Sequence, residues 1–85
     1  MDKYAEAPRR FYEVYRPISR KHGLRLHIRF SLHHKGFIKI YQGEGQEKKQ
    51  IIKVEEEDDV FCFEKATQDL LAWAKEKEES RRKSA

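Results

Sequence analysis

The residues best equipped for chemistry stand at alternate positions in residues 24–32. Arg25, His27, Arg29 and Ser31 point one way in an extended chain, and Leu24, Leu26, Ile28, Phe30 and Leu32 point the other. Strand side chains alternate between two faces, so this period of two predicts a core contributor on one side and a basic surface on the other. Phe37, Lys39 and Tyr41 alternate in the same way with Ile38 and Ile40, and Ile51, Lys53 and Glu55 with Ile52 and Val54. Brought together on one sheet face, Arg25, His27, Arg29, Phe37, Lys39, Tyr41, Ile51 and Lys53 mix cations with aromatic rings, and Glu55 is the one carboxylate among them. Single-stranded nucleic acid exploits such a surface: phosphates pair with Lys and Arg, and bases stack on rings at ~1–3 kcal/mol each. The same pattern also fits a protein contact or a homodimer centred on Phe37, Tyr41 and Ile51, or an ordinary solvated sheet face.

Other chemistries have less to stand on. His33-His34-Lys35-Gly36 predicts a tight turn, with Gly36 supplying any positive φ, and His34 and Lys35 would extend a nucleic-acid footprint. His27, His33 and His34 lack cysteine or carboxylate partners at zinc spacing, so no metal is expected. Gly43 and Gly45 lack the lysine and following helix of a phosphate-cradling loop, and no cofactor is expected. Cys62, the single cysteine, sits between Phe61 and Phe63 and is expected to be buried filler rather than a nucleophile. His, Arg, Lys and Tyr beside the open face could in principle run metal-independent RNA cleavage, yet a non-enzymatic module is the expected class.

The elements that must position these residues follow from periodicity. Phe11, Val14, Tyr15 and Ile18 recur at spacings of three and four, which predicts a helix. Pro8 suits its first turn, Gly23 the left-handed residue after its end, and Arg20, Lys21 and His22 the negative end of its dipole. Pro17 is expected to kink this helix or restart it. Three strands follow, at 24–32, 37–42 and roughly 50–55. Asp58 or Asp59 can cap a last helix whose stripe is Phe63, Ala66, Thr67, Leu70, Leu71 and Ala74, with Trp73 at its flank. The alternative for residues 60–63 is a short buried strand, with the helix starting near Glu64. Favourable pairs Glu78–Arg82 and Glu79–Lys83 would carry the helix onward. The expected architecture is an α+β two-layer sandwich in α-β-β-β-α order, a three-stranded antiparallel sheet with two helices on one face.

Eighty-five residues predict one domain, with an ordered core over about 8–78 and a basic tail over 79–85. The net charge of +4 hides an asymmetry: residues 1–40 are net +7, residues 41–80 net −6 and the last five +3. Such a distribution speaks to partners rather than to fold. The longest apolar run is five residues, Leu70 to Ala74, and no signal-peptide core follows Met1. A soluble, cytoplasmic protein with no membrane contact is therefore expected.

The element order resembles that of double-stranded RNA-binding domains, over about residues 8–75, and that of the small protein pair that binds the Alu region of signal recognition particle RNA. His33 followed four residues later by Phe37 is similar to the loop and strand start where the first family places a groove-contacting histidine. The resemblance implies RNA as partner. At the start of the last helix, where that family carries a lysine cluster, this chain has Glu55-Glu56-Glu57-Asp58-Asp59, with Lys65 the first cation after them.

Overall fold

Phe11 is fully buried and Val14, Tyr15 and Ile18 are half-buried, so the predicted stripe is the face on which the first helix packs. The structure, a computed structural model, describes residues 3–30, 35–43 and 45–83, with side chains described over 5–30, 35–43 and 45–80. Helix α1 (Lys3–His22) leads to strands β1 (Leu24–Arg29) and β2 (Gly36–Gln42). A short 3-10 turn (Gly45–Glu47) then precedes β3 (Lys49–Glu56) and helix α2 (Asp59–Lys83). The sheet is antiparallel in the order β1-β2-β3, so the class is α+β in α-β-β-β-α order.

Helix α1 corrects two expectations. It starts five residues before Pro8, and it runs through Pro17 as one helix. Proline removes the amide that would bond the carbonyl four residues back. Here that carbonyl belongs to Glu13, and Glu13 and Pro17 are both exposed, so the orphaned acceptor lies on the water side. At the other end Gly23 takes φ +66° and donates its amide to the Ser19 carbonyl at 2.8 Å. Gln42 at the end of β2 donates to the His22 carbonyl at 3.3 Å, which ties the helix end to the sheet.

The inward-facing residues of the sheet, Leu24, Ile38, Ile40, Ile52 and Val54, form one buried cluster with Ala7 and Phe11 of α1 and Cys62, Phe63, Ala66 and Leu70 of α2. Both helices thus cover the same face. Thr67, also buried, donates its hydroxyl to the Phe63 carbonyl within its own helix at 2.7 Å and so leaves no polar atom stranded. Leu71, expected in the stripe, is 44% exposed at an open groove between α1 and α2. Residues 60–63 are helical.

Gly36 does not supply a positive φ; that role falls to Gly23, Gly43 and Gly45. It opens β2, where a Cβ would collide with the ring of Phe30. Phe30 lies beyond the last residue of β1, and its ring centroid is 5.4 Å from that of Phe63. The expected strand to residue 32 therefore stops at Arg29, and residues 31–34 lie outside those described.

Asp58 caps α2: its side chain accepts the Val60 amide at 3.1 Å and its carbonyl accepts the Cys62 amide at 2.9 Å. Asp58→Ala is expected to cost about 1 kcal/mol, to be read as a lower urea midpoint with an unchanged slope. Farther along, Lys21 of α1 donates to Glu78 of α2 at 2.9 Å, while the expected partners Arg82 and Lys83 have side chains outside those described.

Candidate nucleic-acid interface

The registers of the three strands assemble the open face into rows. Arg29, Phe37 and Glu55 lie side by side at one end, His27, Lys39 and Lys53 in the middle, and Arg25, Tyr41 and Gln50 at the other end. Arg25, His27, Arg29 and Lys53 are exposed, and Phe37, Lys39 and Tyr41 are half-buried. Seven of the nine nucleic-acid candidates thus share one surface. Lys35 is exposed one residue before β2, at the Arg29–Phe37 end, and His34 lies outside the described residues.

Phe37 and Tyr41 each have a cation against the ring. The Lys39 ammonium sits 4.5 Å from the Phe37 ring centroid, and the His27 ring lies 5.3 Å from Phe37 on its β1 side. Lys48 places its ammonium 4.6 Å from the centroid of Tyr41. Such contacts keep ring faces and cations in register at a modest ~0.5–1 kcal/mol each where water has access. Lys48 was not among the expected residues. Its position depends on a bulge: Ile40 faces Ile52 but Tyr41 faces Gln50, so Ile51 has no partner across the sheet. A bulge arises from pairing with a distant strand, and no local pattern announces it.

The bulge also corrects the place of Ile51. It is half-buried and packs against the core, so it does not join Phe37 and Tyr41 as the middle of an apolar patch. Glu55 is the carboxylate of the face, 3.5 Å from the Lys53 ammonium across two residues of β3. Both groups are about half exposed, and such a pair is worth little in water.

Cys62 is wholly buried, although its neighbour Phe61 is 50% exposed, so burial of the thiol does not require burial of both flanks. Its thiol lies 3.8 Å from the Val54 carbonyl. Burial, reinforced by the Glu56 carboxylate, pushes the thiol from 9.0 up to about 11. A raised value means that the folded state holds the proton more tightly. The associated stability is whole below the unfolded value and is lost as pH climbs from 9.0 towards about 11. Native protein is expected to resist iodoacetamide at neutral pH and to react once unfolded in urea, with added thiolate destabilisation at the alkaline end of a pH series.

Among the described residues, no three His, Cys, Asp or Glu side chains are grouped as a metal would need, and no helix is long and apolar enough to cross a membrane. Comparison with known protein families, characterised proteins and solved structures finds no match for this chain.

Proposed function

We propose that the chain is a non-enzymatic module that binds single-stranded nucleic acid, RNA or DNA, on the open face of its sheet. The observation that carries this reading is the middle row. Lys39 stands directly across from Lys53, with His27 on its other side. Like charges opposite one another on a sheet face destabilise it. The contacts of Lys39 with the Phe37 ring and of Lys53 with Glu55, both open to water, offset only part of that repulsion, and an anion laid along the row would relieve the rest.

The rings bracket the row. Phe37 and Tyr41 are four residues apart on β2, about 13 Å at ~3.3 Å per residue. Two unpaired bases can stack there while the phosphates between them cross the His27–Lys39–Lys53 row, with Arg25 and Arg29 taking phosphates at either end. A ring can take the face of a base only when that base has left its neighbours in a duplex, so the rings favour single strands over duplex. At the Arg29–Phe37 end, Glu55 lies beside Phe37 on the side away from Arg29 and disfavours phosphate over β3 there, so the strand is held on the β1 side of that end. With Ile51 turned towards the core, a dimer packed face to face would have a smaller apolar centre to bury.

The test is binding to labelled single-stranded and duplex RNA and DNA across a salt series, with mass measured by light scattering on the same samples. Four phosphate contacts predict a slope of log K against log salt of about −3 on single strands. Absence of binding at low salt, or equal affinity for duplex, would overturn the reading.

A further inference from the structure

Strands β1 and β3 are the two edges of the sheet, and among the described residues no strand pairs with the outer side of either. An unpaired edge offers a row of backbone donors and acceptors to any second strand. The two edges differ in charge. On the open face β1 carries Arg25, His27 and Arg29, so antiparallel pairing of β1 with its own copy opposes cation to cation. β3 carries Lys53 and Glu55 on that face, two residues apart. Antiparallel pairing of two copies of β3 about Val54 sets each Lys53 across from Glu55 of the other copy. A lysine on an edge ordinarily deters a second strand; the glutamate two residues on turns the deterrent into a match.

The bulge selects that register. Ile51 interrupts the regular edge, so the stretch able to pair is 52–56, and its midpoint is Val54. In this pairing Ile52 falls opposite Glu56, whose carboxylate is engaged 3.8 Å away by the Lys65 ammonium.

A second observation lies on the same flank. Phe61, in the first turn of α2, is the most exposed large apolar side chain described, at 50%. Lys65, four residues on, is its neighbour on the helix surface, and Lys65 reaches Glu56 of β3. A large ring therefore stands open in the helix layer beside the free edge, where its twofold mate would meet it.

We infer that two copies of the chain form a twofold dimer by antiparallel pairing of 52–56, with Phe61 closing the helix layer beneath. The axis runs perpendicular to the sheet. The result is one six-stranded sheet with both cationic faces on the same side and all four helices on the other. A twofold contact closes on itself and does not propagate into fibres. Five residues of edge and one ring make an interface at the small end of specific contacts, so the dimer forms reversibly with concentration. The inference does not depend on the nucleic-acid reading.

Sedimentation equilibrium without nucleic acid tests it. The expected mass rises from one chain to two with concentration. Lys53→Glu alone and Glu55→Lys alone should each weaken association at least about tenfold, and Lys53→Glu combined with Glu55→Lys should restore it. Phe61→Ala should weaken it as well. Circular dichroism identical to that of the unmodified chain separates loss of contact from loss of fold. A single-chain mass at every concentration would overturn the inference. A dimer indifferent to both charge reversals and to Phe61→Ala would overturn it too.

Discussion

Arg25→Ala combined with Arg29→Ala is expected to lower affinity for single-stranded RNA or DNA by at least about 100-fold, since each charge-assisted contact to an anion is worth ~1.5–3 kcal/mol. The two side chains flank the middle row on β1 and extend from the face opposite the core. Their removal should leave the thermal midpoint within a few degrees of the original, because exposed substitutions usually stay within about ±0.5 kcal/mol. The salt slope should flatten from about −3 to about −1.4 as two of four phosphate contacts disappear. Fluorescence anisotropy over a salt series measures both quantities on one sample. An unchanged slope would mean that phosphate does not sit on this face.

Phe11→Ala is expected to have the largest effect on stability, about 3–5 kcal/mol, as for other fully buried aromatics cut to alanine. Phe11 is where the two helices meet. Its ring stacks on Tyr15 at 5.7 Å, meets Tyr12 edge-on at 5.4 Å and lies 5.7 Å from Phe63 of α2. Neither helix can reach around to refill the space, because the aromatic neighbours are held at their own backbone positions. Domains are stable by only ~5–15 kcal/mol, and one of this size sits low in that range, so the variant should be close to unfolding at room temperature. Urea denaturation followed by circular dichroism measures it; a loss below about 1 kcal/mol would show that the core closes over the gap.

Much of the layout was legible because it is written in local period. The alternation of Arg25, His27 and Arg29 with Leu24, Leu26 and Ile28 predicted which side of β1 would be wet, and the stripe through Phe11 predicted which side of α1 would pack. Asp58 and Asp59 were legible as the capping pair, and both accept the Val60 amide, because capping is a matter of neighbouring amides. The departures share a different cause: each depends on a distant part of the chain. Pro17 stays inside α1 because packing elsewhere holds the helix through the missing bond. Leu71 and Phe61 are exposed because the second helix meets α1 and the sheet over a narrower arc than its apolar residues cover. Gly36 is explained by the ring of Phe30, and Lys48 and Ile51 by a slip in register against β2. None of these partners stands at the spacing of a helix turn or a strand alternation that a local pattern would show.

The division of labour along β1 and β2 carries an implication for how such a surface can change. Residues that hold the fold and the exposed residues proposed to meet a ligand occupy opposite sides of the same strands, so few substitutions serve both purposes. Exposed substitutions usually change stability little, so residues of the open face can be exchanged without eroding the scaffold. A library randomised at Arg25, His27, Arg29, Lys39 and Lys53 should therefore yield mostly folded members. The sheet is suited to acquiring new specificities by drift or by selection in the laboratory.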